Sequence, residues 1–357
     1  MSGQLFKRLE KFRKQRKLSI LKVCKEIGCN NVTYHRWKKS KQIIGPYKKI
    51  VEEFLDKSEP HPQHPATIPS DIAVIGIACY YPGAHNVKEL WENILARRVQ
   101  FRRILDQRLP LKDYYNEDPK FPDTSYLTKA AFIDGFEFNW SKLRIPKKTF
   151  ESTDIVHWLA LDTALKTFED AGYRFEDVPL YQMHKIPAQN TGVILGNTLT
   201  GEQTRSLTLR LRWPYVRKTL NATLESFGIQ EEERSRLSEA MEKVYKSAFF
   251  PITEDSLSGG LANTIAGRIC NYLNLKGGGY IVDGACSSSL LAVATAANAL
   301  KLREMDLVLA GGVDISLDPF ELVGFSKAGA LAKDQMRVYK KKGKRICPGR
   351  GMRIRAS

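Results

Sequence analysis

Apolar and polar positions along this chain follow two rhythms, and the change between them falls near residue 70. Up to residue 57, apolar side chains recur three and four positions apart, the spacing of one helical face. Leu5, Phe6, Leu9 and Phe12 mark the first such face. Ser19 is placed to cap a second helix through Ile20, Val23, Cys24 and Ile27, and Gly28 to stop it. Asn30-Asn31 caps a short third helix through Val32, Tyr34, His35, Arg36, Trp37 and Lys38, and Gly45-Pro46 opens a fourth with Ile50, Val51, Phe54 and Leu55. From residue 71 onward, short apolar runs rich in β-formers alternate with longer helical patterns. Strands are predicted over 72–78, 191–196, 279–283 and 306–312, and helices over 87–97, 153–171, 259–273 and 286–302. That alternation predicts an α/β domain around a largely buried sheet. Charged, helix-favouring sequence over 202–250 interrupts it as an inserted helical layer.

Charge divides the chain at the same places. The formal net charge is +17, of which residues 1–57 carry +11, residues 337–357 carry +9 and the body between them −3. The body is therefore near neutral, and the two basic ends need separate explanations. Four prolines within 58–70 favour an extended spacer, in which His61 and His64 read as solvated. Six cysteines stand at 24, 29, 79, 270, 286 and 347 without the paired spacing of a zinc site. No apolar run reaches membrane length. The expectation is a reduced, soluble, cytoplasmic protein with no membrane partner, no metal and no bound cofactor.

The candidate chemistry sits in one segment. Tyr280, Ile281 and Val282 form an apolar strand that runs into Asp283-Gly284-Ala285-Cys286-Ser287-Ser288-Ser289 and then an apolar helix from Leu290 to Leu302. Strand, tight turn, nucleophile and helix is a geometry that exposes a reactive side chain at a helix N-terminus. There, unpaired N–H groups and the positive end of the dipole favour a thiolate and can hold an oxyanion. The competing expectation for Cys286 is a thiol packed inside a strand–helix junction.

The flanking segments resemble, in order, the β-ketoacyl synthases, the condensing domains of fatty acid and polyketide synthases. Asp71 to Ala78 with Tyr81-Pro82-Gly83-Ala84 resembles the family's opening strand and loop, and Leu90 to Leu95 the helix after it. Glu169-Asp170-Ala171-Gly172, Asn263 to Ile269, Leu309 to Asp314 and Ser326 to Ala332 continue the resemblance through Tyr339. Arg210 to Val216 and Ile252 to Asp255 are most similar to synthases of polyunsaturated fatty acids and heterocyst glycolipids. The resemblance implies a thiolase-like fold, represented here by its N-terminal half. It also implies Cys286 as the acyl-accepting nucleophile, substrates carried on the phosphopantetheine of an acyl carrier protein, and a homodimer. Decarboxylation of the extender would need two histidines from the family's C-terminal half. The six histidines here (His35, His61, His64, His85, His157 and His184) all precede Cys286, and none sits in such a motif. The expectation is a truncated synthase, inactive alone or completed in trans by a second polypeptide. Residues 340–357, where the Pro-Gly-Glu-Gly run of the family becomes Pro348-Gly349-Arg350-Gly351, read as a basic, degraded tail.

Ser19 to Lys41 resembles a phage-repressor-type helix-turn-helix, with Trp37 as its core tryptophan. On that reading Asn31, Thr33, Tyr34 and Lys38 face a major groove, and the chain is a DNA-binding protein carrying a relic synthase. The alternative is a basic helical module that docks onto another protein.

Overall fold

The computed structural model describes residues 2–58, 71–173, 186–315, 317–333 and 351–356. They fall into two compact units, 1–69 and 70–357. The spacer from 59 to 70, His184, Cys347 and the segment 334–350 lie outside the described residues.

The described residues of the first unit form four helices: α1 (Ser2–Gln15), α2 (Ile20–Ile27), α3 (Asn31–Ser40) and α4 (Tyr47–Ser58). The expected punctuation is present. The Ser19 hydroxyl accepts from the Lys22 N–H at 3.2 Å, and the Asn30 side chain accepts from the Thr33 N–H at 2.8 Å. Gly28, at φ 68°, ends α2 in the left-handed conformation that glycine reaches without a side-chain clash. Leu9, Val23, Val51 and Leu55 are fully buried between the helices, with Phe6, Phe12, Ile27, Tyr34 and Trp37 packed around them. Each such aliphatic side chain contributes about 1.5–3 kcal/mol by leaving water, which gives this unit a core of its own.

The second unit follows the strand and helix alternation. In chain order it contains β1 (Gly76–Tyr80), α5 (Val87–Leu95), β2 (Arg102–Arg103), α6 (Leu111–Tyr114), β3 (Lys129–Ala130), α7 (Lys147–Glu151) and α8 (Ile155–Asp170). Then come β4 (Thr191–Gly196), the inserted helices α9 (Glu202–Leu211), α10 (Trp213–Ser226) and α11 (Glu231–Ser247), and α12 (Asn263–Leu273). The unit continues with β5 (Gly279–Val282), α13 (Ser288–Lys301), β6 (Leu307–Asp314), α14 (Pro319–Lys327) and β7 (Gly351–Ala356). β2 and β3 pair as a short separate ribbon.

The main sheet has the order β1-β7-β6-β4-β5. β4 runs parallel to both β5 and β6, whereas β7 is antiparallel to β1 and to β6. β4 and β6 are apolar nearly throughout because both of their faces are covered. On one face Val193, Leu195, Leu307 and Leu309 pack with Trp158, Leu161, Phe168 and Ile265 of α8 and α12. On the other, Ile194, Val308 and Ala310 meet Ala292, Ala296 and Ala299 of α13. The result is a helix–sheet–helix sandwich.

Two expectations are revised here. The first strand begins at Gly76 rather than 72, and Val74 and Ile75 ahead of it are exposed. The basic tail is not wholly outside the fold, since Gly351–Ala356 forms β7 inside the sheet. The charge run draws attention away from the two-residue alternation of Met352, Ile354 and Ala356 with Arg353 and Arg355, which is a strand pattern.

α8 also buries polar groups. The Asp154 carboxylate accepts from the Val156 N–H at 3.0 Å and from the Gln203 N–H at 2.8 Å, tying the start of α8 to α9. His157 is fully buried, and among the described residues neither ring nitrogen has a hydrogen-bond partner. Burial, with the Arg268 charge nearby, pulls its pKa down to about 3. The unfolded chain protonates this ring near pH 6.5 and the folded chain does not, so its contribution is neutral above pH 6.5 and destabilising as pH falls toward 3. Urea melts from pH 8 to pH 4 are expected to show stability falling more steeply in the wild type than in His157→Met, by up to about 1.4 kcal/mol per pH unit. Parallel curves for the two proteins would contradict this.

Candidate active site

β5 delivers the chain to the site and α13 carries it away. Between them Ala285–Ser287 forms a single tight helical turn, and α13 starts at Ser288 rather than at Cys286. Ala285 stands at φ 50°, a left-handed value that an L-residue with a β-carbon adopts at a cost. The turn is held by its neighbours. Asp283 accepts from the Ala285 N–H at 2.8 Å and from the Thr198 hydroxyl at 2.7 Å, and these bonds, the hydroxyl's first, hold its carboxyl below the usual range. The Ser288 hydroxyl donates to the Ala285 carbonyl at 2.7 Å and accepts from the Gly284 N–H at 2.9 Å.

Cys286 is thereby exposed, not packed in the junction. It borders a cavity of about 380 Å³ lined by the ends of β4 and β6 and the first turn of α13, with Tyr81, Asn197 and Thr198 at its sides. No histidine lines this cavity among the described residues. His157 is sealed in the core, and His85 bonds the Asp134 carbonyl at 2.8 Å. The Ser287 hydroxyl at the start of α13 donates to the Gly284 carbonyl at 2.7 Å and makes no cap bond, so it does not compete for the N–H groups of the first turn. An exposed thiol beside such donors, at the rim of a cavity with mixed lining, can attack a thioester and leave its oxyanion hydrogen-bonded.

Two glycines permit this geometry. A β-carbon at Gly196 would lie 2.4 Å from the backbone carbonyl carbon of Ser288, and one at Gly312 would lie 2.7 Å from the Ser289 β-carbon. Residue order alone does not single out Asn197 and Thr198. Asn197 donates to the carbonyls of Val313 at 2.9 Å and Thr200 at 3.1 Å, locking the end of β4 to the end of β6. The cue lies in Gly196-Asn197-Thr198 directly after a buried strand, where small polar residues mark a functional loop.

The nucleic-acid candidates fare unevenly. Asn31 and Lys38 are exposed and Thr33 is half-buried. Tyr34 is a correction, since it has 0% exposure and its hydroxyl donates to Glu10 at 2.6 Å inside the module. Its position, three residues before Trp37, puts it on the core face of α3.

Residues 69–352 match the family "Beta-ketoacyl synthase, N-terminal domain". The chain belongs to this family, the ketosynthases of polyketide and fatty acid synthases, and has their thiolase-like fold. Polyketide synthase PksL of Bacillus subtilis is 29% identical over 282 residues, covering 78% of this chain and 5% of that protein. A polyunsaturated fatty acid synthase polypeptide of Thraustochytrium is 29% identical over 281 residues, covering 78% of this chain and 9% of that protein. Among solved structures, the ketosynthase from module 6 of the bacillaene synthase of Bacillus subtilis matches with a TM-score of 0.56 and 26% identity, over 80% of this chain and 39% of that one. The PfaC keto synthase–chain length factor gives a TM-score of 0.64 over 80% of this chain and 28% of that one; its 22% identity bears on fold alone. The chain thus spans a small part of each curated relative.

The described thiols differ sharply in surroundings. Burial pushes the Cys270 thiol up to about 11, and burial with the neighbouring Cys29 pushes Cys24 up to about 12. Cys79 is closed off at 2% exposure. Iodoacetamide at neutral pH, followed by peptide mapping, is expected to label Cys286 before Cys24, Cys79 and Cys270; prior labelling of Cys270 would sink the assignment. Gly196→Ala presses a methyl into backbone that cannot yield, so urea unfolding should show a loss of about 1–3 kcal/mol. A variant as stable as the wild type would show that α13 does not need its close seat.

Proposed function

We propose that residues 71–356 carry out the acyl-accepting stage of a condensing reaction. The exposure of Cys286 at the start of α13, beside a cavity, is the observation that carries this reading. The Cys286 sulfur attacks the carbonyl carbon of an acyl group carried on the phosphopantetheine of an acyl carrier protein. A new C–S bond forms, the oxyanion rests on N–H groups at the helix start, and collapse expels the carrier thiolate, which takes up the proton lost by Cys286.

The second stage, release of carbon dioxide from a malonyl-type extender, calls for the histidine pair that the family resemblance implies. We assign that pair to sequence outside residues 71–356, either in a continuing polypeptide or in a second one acting in trans. Alone, these residues are expected to take up acyl groups without condensing them. A homodimer is supported by the sheet order, which leaves β5 at an edge with Tyr280 exposed for a second copy.

Incubation with an acyl-pantetheine thioester, followed by intact mass measurement and peptide mapping, tests the reading. The wild type is expected to gain one acyl group on Cys286 and Cys286→Ala none, while malonyl thioester releases no carbon dioxide. Equal acylation of Cys286→Ala would overturn the nucleophile. Carbon dioxide release by this chain alone would overturn the assignment of the histidines elsewhere.

A further inference from the structure

α3 of the N-terminal unit has a face that the unit's own core does not use. With Tyr34 and Trp37 turned inward, the opposite stripe is Val32, His35, Arg36 and Lys39, spaced as one helical face and all exposed. Among the described residues no hydrogen bond or ion pair engages the side chain of His35, Arg36 or Lys39. From Ile27 to Val51 the chain carries Arg36, Lys38, Lys39, Lys41, Lys48 and Lys49 and not one carboxylate. Glu10 pairs with Arg13, accepts from the inward-turned Tyr34 and feels the charge of Lys38. Arg36 and Lys39 on this stripe therefore have no carboxylate partner among the described residues, which favours a polyanionic partner.

Shape narrows the partner further. α2 and α3 are joined by three residues, Gly28 to Asn30, and the two side-chain caps fix both helix starts. α3 has ten residues, or about 15 Å of helix, and a duplex major groove about 12 Å wide admits such a helix side-on. Its free stripe mixes an arginine, which can grip a guanine edge with two hydrogen bonds, with an apolar valine at 62% exposure that suits a thymine methyl. Beside it lies a groove of about 600 Å³ lined by Thr33, Arg36, Lys39, Ser40 and Tyr47 among others, where hydroxyls and cations can take a backbone phosphate. Single-stranded nucleic acid is held by exposed aromatic platforms. α3 has none, because both of its aromatic residues lie in the core.

We propose that the N-terminal unit binds duplex DNA with sequence preference, reading the major groove through Val32, His35, Arg36 and Lys39. The reading side chains thus lie on a different stripe of α3 from Thr33 and Tyr34. This binding is separate from acyl transfer and stands or falls independently of it.

The test uses the full chain. Rounds of selection from a randomised duplex pool are followed by anisotropy titrations on the enriched duplex, a scrambled duplex, single-stranded RNA and an acidic peptide. One sequence is expected to be enriched. Arg36→Ala should weaken binding to it by about tenfold or more while weakening the scrambled duplex only a few-fold. Arg36→Lys, which keeps the charge and loses the two-pronged grip, should retain scrambled binding and lose the preference. Affinity for both duplexes should fall steeply between about 50 and 200 mM salt. Absence of any enriched sequence, an unchanged preference in Arg36→Lys, or tighter binding to the RNA or the peptide would each overturn the proposal. Acylation of Cys286 in the Arg36 variants should equal that of the wild type, and a thermal melt of the four-helix unit unchanged from the wild type reports that this unit still folds.

Discussion

The seat of the first turn of α13 against the ends of β4 and β6 is the contact on which the rest of the catalytic unit depends. Two strand positions without side chains, Gly196 and Gly312, bring backbone against backbone where a methyl group has no room. Further along, Ala292, Ala296 and Ala299 keep the same helix close to the sheet. Close seating fixes where the helix begins, and the start of the helix fixes where Cys286 stands. It also leaves space beyond the small residues, so that the cavity opens at the thiol rather than being filled by neighbouring side chains. Packing at this spot is both the source of local stability and the means of exposing the nucleophile.

Around that contact, polar groups act as fasteners at strand ends, turns and helix starts. Asn197 holds two strand ends together, Asp283 steadies the turn before the cysteine, and Asp154 fastens α9 to the start of α8. Each is a side chain satisfied by backbone groups, a use of polarity that costs little when partners are fixed in advance. His157 differs, a fully buried ring with no hydrogen-bond partner among the described residues, and it introduces acid sensitivity into the core face of α8. The four-helix unit handles charge differently, turning Glu10 to Arg13 and to the buried Tyr34 of α3 and leaving Arg36 and Lys39 on the outer stripe of that helix exposed.

Much of this is legible from residue order. β4 coincides with the predicted 191–196, and β5, β6, α8 and α13 lie within two residues of their predicted limits at most ends, because strongly apolar runs flanked by glycine or charge leave few alternatives. Ser19, Gly28 and Asn30 can be read as helix punctuation because their caps are local. What escapes such a reading is non-local. Tyr34 reads as a surface residue on a basic helix, and only the packing of α3 against the other helices reveals that its side chain is core. β7 is hidden because its partners, β1 and β6, lie hundreds and tens of residues away respectively, and its arginines mask its alternation. Asn197 and Thr198 escape notice because their importance comes from what β6 and the Asp283 loop place opposite them.

The place of β7 has a consequence for how the sheet is assembled. Of the five strands it comes latest in sequence, yet it sits between the earliest strand and β6. Until it arrives, β1 has no neighbour among the described strands and β6 has one side unpaired, so a nascent chain carries β1 unpaired through the synthesis of nearly the whole unit and β6 half-paired through its last stretch. Open edges of this kind are templates for pairing with other chains. Residues 351–356 therefore act as a closing wedge, whose arrival gives β1 its partner and covers the open side of β6.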